Sequence, residues 1–487
     1  MLAAAILVLL GASEFARRRF GWPDEVTRKT VHIVTGVLIF LAPPFFPRSG
    51  VVVLIAALFI TINAAAYSRG WLSAVHHTNR RSFGTVYYPL ALLLLAIPFW
   101  DNYPDLVVAS ILVMAIGDGA AGIVGENIQH PRLYRVTTDT KSLQGSAAMA
   151  VGSVAALLLA LIVYDNHGLG FAAAWESHPL ATASALLAVA LFATGWEAAS
   201  SRGLDNLTVP LMTGIALHIC FATGSETDVL RFATGAGLGM LIAVAASITR
   251  MLQPSGAVAT FLLATIVFGV GGWQWTLPIF VFFVLSSLLS KWRKQQKQRF
   301  EQHFEKTATR DAGQVAANGS IVGVLAVLWH FTGDDRLYLL SLVAVAVVTA
   351  DTWGTELGVL SRRRPRSVRT GREVAPGTSG GVSLAGTIGG IAGAVVVTLS
   401  ALPFVVLTLS HVVAIVALGA LGSLVDSLMG ATLQAQYRCA VCGKETEKAQ
   451  HCESQARLLR GRPWLRNDAV NLLSAVGVTA ASMLLLL

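Results

Sequence analysis

An acid, a glycine cluster and a cation occur together in one predicted hairpin, residues 115–146. Asp118 ends an apolar run between Gly117 and Gly119, and Lys141 opens the next apolar run. An ionised carboxylate inside a membrane segment is costly, so it marks a functional site by default. A cation at a helix start suits phosphate, and glycines let a ligand approach the backbone closely. The pattern predicts a nucleotide or phosphate site; the alternative is a glycine-rich packing helix that tolerates one polar residue.

Other polar residues of the first half fall at predicted helix ends. The acids Asp118, Glu197 and Asp205 are predicted to contact magnesium or to deprotonate an alcohol, because Mg²⁺ takes one or two carboxylates plus phosphate oxygens. The predicted phosphate-binding residues are Lys29, Arg81, Gly117, Gly119, Lys141, Ser142, Gly145 and Ser146, with His32 and Asn206 in support. For His32, packing at the membrane interface is an equal alternative. No G-x-x-x-x-G-K-[ST] motif occurs, which argues against a P-loop kinase.

The second half carries a similar set of acids and glycines. Asp351 and Asp426 are predicted to contact magnesium. The predicted phosphate-binding residues are Arg310, Arg372, Thr378, Ser379, Gly380 and Gly381, and the predicted supporting residues are Glu356, Asn467, Asp468 and Asn471. A glycine-rich helix entry offers backbone N–H groups to phosphate. Glu356 is roughly 140° around the helix from Asp351. The arginines of residues 362–372 could instead reflect membrane topology alone. Asn467 and Asn471 could instead cap helices.

Three of the four cysteines fall in one loop, together with a histidine. The set is Cys439, Cys442, His451 and Cys452, whereas Cys220 stands alone in an apolar run. The cytosol disfavours a disulfide, and a C-x-x-C turn with further soft ligands predicts a structural zinc site. Free thiols are an equal alternative, since two adjacent residues rarely bind one ion together.

The composition is that of a polytopic membrane protein. Hydrophobic residues make up 54% of the 487 residues and charged residues 13%, with a mean hydropathy of +0.63. The apolar first stretch is predicted to be a retained helix rather than a signal peptide. Lys and Arg concentrate in alternate loops, which predicts an inner (cytoplasmic) membrane protein whose active sites face the cytosol. Nucleic acid is not an expected partner.

About sixteen apolar segments, among them 255–270 and 273–290, are predicted to be transmembrane helices, although some are short for a crossing of ~20 residues. Asp118 and Asp351 hold equivalent places in the two halves, and residues 141–146 and 378–383 open equivalent segments. This ordered recurrence predicts an all-α polytopic protein made of two parallel repeats of about eight helices. The alternative is a coincidence of membrane patterning. The predicted domains are residues 1–226 and 227–487.

Motifs of the first half together resemble the phytol kinase and dolichol kinase family. They are RKTVHIVTG at 28–36, GDGAA at 117–121, KSLQGS at 141–146, and Glu197 with LDNLTVP at 204–210. The resemblance covers most of residues 14–224. It implies CTP-dependent phosphorylation of an isoprenoid alcohol, with phytol as the first expectation. In one departure, Glu126 stands where a basic residue is expected.

Residues 310–471 resemble a related family, the phytyl-phosphate kinases. The motifs are ADTWGTELG at 350–358, PGTSGGVS at 376–383, DSLMGATLQ at 426–434 and NDAVN at 467–471. The resemblance implies phosphorylation of an isoprenoid monophosphate. An anionic acceptor and a nucleotide repel each other, so this step is expected to need more cationic charge, which the arginine-rich loop 362–372 could supply. It needs no general base, because the acceptor is already an anion.

The sequence therefore predicts a bifunctional membrane lipid kinase formed by fusion. It would convert phytol to phytyl phosphate and then to phytyl diphosphate, using Mg²⁺ and CTP or a related nucleotide. The expected partners are the bilayer, the isoprenoid alcohol, its monophosphate and the nucleotide; a homodimer stays open. Alternatives are another polyprenol (farnesol, dolichol or undecaprenol), CTP-dependent cytidylyl transfer and, ranked lower, a secondary transporter. A transporter would place its polar groups near the bilayer midplane.

Overall fold

The computed structural model describes residues 2–69, 83–164, 169–293 and 309–486. The chain divides into two compact units, Met1–Met240 and Leu241–Leu487. The division falls inside one helix, Glu226–Ile248, whereas the predicted domain boundary lies at the first residue of that helix.

The first unit consists of helices and one β-hairpin. Its elements are α1 (Leu2–Phe20), α2 (Asp24–Phe40), α3 (Ser49–Arg69), α4 (Gly84–Phe99), α5 (Pro104–Leu112), α6 (Gly119–Asn127), β1 (Leu133–Arg135), β2 (Thr140–Ser142), α7 (Leu143–Val163), α8 (Phe171–Ser177), α9 (Pro179–Ala199), α10 (Asp205–Phe221) and most of α11 (Glu226–Ile248). A wider π-helical turn, Val113–Asp118, joins α5 to α6. Such turns often occur at functional sites. Strands β1 and β2 are antiparallel, and Tyr134 lies opposite Lys141.

The second unit adds a small set of strands to its helices. Its elements are α12 (Pro254–Lys291), α13 (Ala312–Thr332), α14 (Arg336–Gly358), β3 (Arg366–Ser367), β4 (Gly381–Val382), α15 (Leu384–Leu399), α16 (Leu409–Thr432), β5 (Gln436–Arg438), β6 (Glu445–Thr446), β7 (Gln450–His451), β8 (Ser454–Gln455), β9 (Arg457–Arg460) and α17 (Asn467–Leu486). Strand β5 pairs antiparallel with both β6 and β9, and β7 pairs antiparallel with β8.

Ten helices of the described residues are long and apolar enough to cross a membrane, and α4 and α15 are shorter apolar helices. The chain is therefore a mostly helical, multi-pass membrane protein. Every predicted apolar segment corresponds to a helix or to half of one, but α1, α2 and α10 do not meet the length and hydropathy of the ten. The count of sixteen spans, the two-repeat arrangement and the side on which the sites open stay predictions.

The most buried long helix of each unit carries one of the predicted acids. Residues Pro104–Asn127 are 61% buried and α14 is 67% buried, more than any other of the ten. The first packs against α2, α4, α7 and α10, and α14 packs against α13, α15, α16 and α17. A helix that is apolar nearly all round is typically enclosed by others in this way. Asp118 and Asp351 lie in the C-terminal halves of these two central helices.

Helix α12 consists of two arms that meet at Gly272. The arms correspond to the two predicted segments 255–270 and 273–290. Gly272 has a φ of 57° and a ψ of −145°, a backbone conformation that side-chain-bearing residues rarely adopt. The break therefore depends on a glycine at this position.

Replacing Gly272 with alanine should lower the free energy of unfolding by about 1–3 kcal/mol, because the added Cβ disfavours this backbone conformation. The measurement is the unfolding temperature of the purified protein in detergent. Gly477→Ala is the control, since no atom lies within 4 Å of its added Cβ and alanine is favoured in helices by about 1 kcal/mol. Equal effects of the two substitutions would contradict the assignment of strain to Gly272.

Candidate active sites

The predicted acids of the first unit converge around Lys141. Its ammonium donates to a carboxylate oxygen of Glu197 and, at 2.5 Å, to the backbone carbonyl of the same residue. The ammonium also lies 3.9 Å from Asp205 Oδ2. All three side chains are largely buried. Burial by itself would lower the pKa of Lys141, but the carboxylates of Glu197 and Asp205 raise that pKa above its ordinary value. Lys141 is therefore a permanent buried cation.

Asp118 and His32 belong to the same site. The Asp118 carboxylate is close enough to act electrostatically on His32, Lys141 and Asp205. The His32 ring lies 4.6 Å from the Tyr88 ring and bonds to the backbone of Met114. Its Nε2 is buried without a hydrogen-bond partner among the described residues. This arrangement leaves one imidazole nitrogen available to exchange a proton with a substrate.

Gly117 and Gly119 are close-packing positions next to Asp118. A Cβ on Gly117 would lie 2.7 Å from Met149 Sδ, and a Cβ on Gly119 would lie 2.9 Å from Ile33 Cδ1. Gly117 lets the π-helical turn approach α7, and Gly119 lets the start of α6 approach α2. Their packing role is visible in the structure, and a contact with nucleotide stays a prediction.

Ser142 and Ser146 organise the start of α7, directly after Lys141. Ser142 Oγ accepts the Gly145 N–H at 3.1 Å and so caps the helix. Ser146 Oγ lies 2.6 Å from the hydroxyl of Tyr134, which stands opposite Lys141 in the hairpin. These bonds hold the β-hairpin against the helix and so place the lysine.

The predicted residues Lys29 and Asn206 each contact an acidic side chain of the first unit. Lys29 forms an ion pair with Glu126, with the two charged atoms 2.6 Å apart, which accounts for an acid where a basic residue was expected. The Glu126 side chain is 56% exposed. Asn206 donates its side-chain N–H to Asp205 Oδ1 at 3.1 Å. Arg81 lies outside the described residues.

A polar cavity of about 310 Å³ lies in the second unit. The predicted residues that line it are Arg310, Asp351, Glu356, Thr378, Ser379, Gly380, Gly381, Asp426, Asn467 and Asn471. Arg372 is exposed and does not line the cavity. Asp468 is also absent from the lining; it lies in the first turn of α17 and packs against the start of α13, where a Cβ on Gly313 would be 2.5 Å from its Oδ2.

Carboxylates dominate the charge of this cavity. The acids are Asp351, Glu356, Asp426 and Glu447, and Arg310 is the one cationic side chain among the described lining residues. Arg310 is buried beside the rings of Phe282 and Phe283, and burial lowers its pKa to about 10. The arginines of residues 362–372, expected to supply cationic charge, are exposed and outside the lining. A polyphosphate would therefore need divalent cations to bind here.

The four acids occupy different parts of the cavity. Asp426 and Asp351 act on each other electrostatically. Asp426 Oδ2 accepts from Ser474 Oγ at 3.1 Å. It also accepts from the Asn471 side chain at 3.1 Å when the Asn471 amide nitrogen, rather than its oxygen, faces Asp426. Glu356 instead accepts from Ser290 and acts on Arg310. The Asp351–Asp426 pair is thus the better candidate for one shared metal ion.

Sequence reasoning missed Glu447 and Gln434, which also line the cavity. Both are at least nine-tenths buried. Ser379 Oγ lies 3.1 Å from Gln434 Oε1 and also hydrogen-bonds to Glu447. Gln434 is the last residue of the motif at 426–434 but was not singled out, and the nearest signal for Glu447 is the cysteine-rich segment in which it lies.

The predicted zinc ligands come together in space. The ligand atoms of Cys439, Cys442, His451 and Cys452 all lie within 4.8 Å of one another. Cys452 has a φ of 51°, so the chain turns sharply between β7 and β8 and brings the adjacent His451 and Cys452 to one point. Cys220 is buried elsewhere, in α10.

Comparisons with known proteins identify relatives of parts of this chain. Residues 237–479 match the family described as integral membrane protein DUF92. A phytol kinase of Synechocystis is 35% identical over 191 residues, covering 39% of this chain and 76% of that protein. Protein PGR of Arabidopsis thaliana is 32% identical over 262 residues, covering 49% and 90%. Phytol kinase 1, chloroplastic, of Arabidopsis thaliana is 29% identical over 212 residues, covering 41% and 67%. No solved structure matches the chain significantly.

Replacing Lys141 with methionine should lower the free energy of unfolding by about 3–5 kcal/mol, because it leaves the Glu197 carboxylate buried without its cation. The measurement is unfolding in detergent by heat or denaturant. Adding Glu197→Gln to this variant should restore part of the loss.

Lys29→Met is the matched control, since its partner Glu126 is more than half exposed. Exposed ion pairs contribute about 0–1 kcal/mol, so this substitution should change little. A loss as large as that of Lys141→Met would show that burial does not distinguish the two pairs.

Proposed function

We propose that this chain, which belongs to the phytol kinase family, phosphorylates phytol in its first unit and the resulting phytyl phosphate in its second. CTP would be the phosphate donor in both steps, and Mg²⁺ the metal ion. The observation that carries the first step is the convergence of Asp118, Glu197 and Asp205 around the buried cation Lys141, with His32 close enough to Asp118 to feel its charge. Phosphoryl transfer needs mainly positioning and charge compensation, and this set of groups supplies both.

Each group of the first unit has a distinct role in this reaction. Asp118 and Asp205 would hold the magnesium, and the ion would supply charge neutralisation for the phosphates of the nucleotide. Lys141 adds a fixed positive charge beside the transferred phosphoryl group. The alcohol oxygen attacks the γ-phosphorus, its proton passes to His32 Nε2, and the bond to the β-phosphate breaks to release CDP. The unsatisfied Nε2 next to an acid supports this assignment of the base.

Asp118→Asn should lower kcat for phytol phosphorylation by 10²-fold or more, because it weakens both the magnesium site and the field on His32. His32→Gln should lower kcat by about 10²–10⁴-fold with little change in KM, as expected for loss of a general base. The measurement is label transfer from γ-labelled CTP to phytol. Asp101→Asn, which changes an exposed acid at the start of the α4–α5 connection, should leave the rate unchanged. An unaffected rate in the His32 variant would remove it from the mechanism.

The cavity of the second unit suits a phosphate acceptor. Asp351 and Asp426 hold magnesium, and Arg310 compensates part of the charge of the two anionic substrates. The turn from Thr378 to Gly381 offers backbone N–H groups to phosphate. The monophosphate oxygen attacks the γ-phosphorus directly, and no proton has to be removed from it. Each of the three reported relatives covers less than half of this chain, which supports the proposal that the chain is a fusion of two enzymes.

An apolar pocket of about 70 Å³ supports an isoprenoid acceptor for the second unit. It is lined by residues of both arms of α12 and of α13, and it shares Arg310, Gln314 and Asn318 with the polar cavity. Its other walls are almost wholly apolar and include Leu263 and Phe283. A molecule with a phosphate head and a hydrocarbon chain would place its head in the cavity and only the first part of its chain in this small pocket.

Val315→Phe should shift the second unit toward shorter isoprenoid monophosphates, because the larger side chain fills the pocket that would hold the chain. The ratio of kcat/KM for phytyl phosphate to that for a shorter homologue should fall roughly tenfold or more. Val324→Phe is the control, since it lies on the same helix and is 58% exposed. An unchanged ratio in the Val315 variant would show that the hydrocarbon chain of the substrate binds elsewhere.

A further inference from the structure

We propose that a zinc ion bound by Cys439, Cys442, His451 and Cys452 positions Glu447 in the cavity of the second unit. The ion would act from outside the cavity, through the segment of residues 434–460, here called the knuckle. Its effect would be on magnesium and phosphate binding rather than on the reacting atoms. The inference rests on the proposed function only for the cation that the cavity binds.

The spacing of the ligand atoms fits a tetrahedral zinc ion. With Zn–S near 2.3 Å and Zn–N near 2.0–2.1 Å, tetrahedral geometry places a sulfur and a nitrogen ligand about 3.5 Å apart. His451 Nδ1 lies 3.5 Å from Cys442 Sγ and 3.1 Å from Cys452 Sγ. The Cys442 N–H points to Cys439 Sγ at 3.5 Å, and such bonds stabilise a thiolate. Three thiolates and one imidazole are a common structural zinc set.

The knuckle has little else to hold its outer part together. Residues 440–445 are all exposed, and the strands from β7 to β9 are mostly exposed as well. The buried apolar side chains of residues 434–460 are Ala435, Tyr437 and Cys439, all at the base of the segment. A segment without a core of its own usually depends on a metal or a disulfide for its fold.

The two strands that flank the C-x-x-C turn, β5 and β6, lead directly to the cavity. Gln434 precedes β5, and Glu447 follows β6, so the two residues are brought together by the pairing of these strands. The C-x-x-C turn closes that pair: the Cys439 N–H donates to the Lys444 carbonyl at 3.0 Å. Ser379 then bonds to both Gln434 and Glu447. Metal binding at the turn therefore fixes the position of Glu447.

Ser379 connects Glu447 to the turn from Thr378 to Gly381, which is proposed to bind phosphate. It lies next to Gly380, which has a φ of 78° and packs so closely on α16 that a Cβ would lie 2.7 Å from the Ser427 carbonyl. The turn thus has one side fixed by α16 and the other by the knuckle. Loss of the zinc should release Glu447 and loosen Ser379, while the contact with α16 remains.

The test uses the full-length protein in detergent and begins with its metal content. The wild type should hold about one zinc ion per chain, and Cys442→Ser should lose it without disturbing a core, because Cys442 is exposed. Cys442→His should restore it. Cys220→Ser, which removes a thiol from the first unit, should keep the metal. A wild type that lacks zinc and contains a disulfide among the knuckle cysteines would overturn the proposal.

Two further measurements test whether loss of zinc changes the cavity. Hydrogen exchange of residues 445–449 and 376–382 should rise in Cys442→Ser and return to normal in Cys442→His. Binding of Mn²⁺, measured by its paramagnetic resonance as a probe for magnesium, should weaken about tenfold in Cys442→Ser, a size typical of lost supporting contacts around a metal site. Glu447→Gln should retain zinc and still weaken Mn²⁺ binding.

Loss of zinc with unchanged exchange in both segments would overturn the proposal, because the knuckle would then be independent of the cavity. If the wild type itself binds no Mn²⁺, the proposed magnesium site fails, while zinc content and exchange still decide whether the knuckle positions Glu447.

Discussion

A carboxylate in the most buried helix of each unit is the constraint on which the rest of this structure depends. Asp118 and Asp351 lie in predominantly apolar helices that are enclosed by their neighbours. A charge in such a place is stable only beside compensating charge or hydrogen bonds. In each unit the surrounding polar residues are arranged around the respective acid, and they come from segments far apart in the chain.

The two units compensate their acids differently. In the first, Lys141 lies between Glu197 and Asp205 and Asp118 acts on it electrostatically, so one buried cation compensates part of the charge of three carboxylates. In the second, four carboxylates share a cavity with Arg310 and no other described cation in the lining. That imbalance favours divalent cations and, through them, phosphate. An alcohol acceptor in the first unit and a phosphate acceptor in the second fit this difference in charge.

The sequence predicted the central acids, Lys141 and the glycine-rich turn at residues 378–381 because each combines residue types that membrane helices otherwise avoid. It could not predict Glu447, since strand pairing within the knuckle, not a motif, brings that acid to the cavity. The arginines of residues 362–372 had the right charge for a phosphate site, but composition does not report that they point to solvent. Gly117 and Gly119 could not be assigned to one role from the sequence, because close helix packing and close approach of a ligand both favour glycine.

The central claim is that this chain transfers the terminal phosphate of CTP to an isoprenoid in two successive steps. Purified protein would be incubated with phytol, Mg²⁺ and γ-labelled CTP, and the lipid and nucleotide products would be separated. The account predicts label in phytyl phosphate and then in phytyl diphosphate, with CDP released in proportion to label transferred. Release of labelled pyrophosphate together with an unlabelled CDP-lipid would contradict it and would assign cytidylyl transfer to the chain instead.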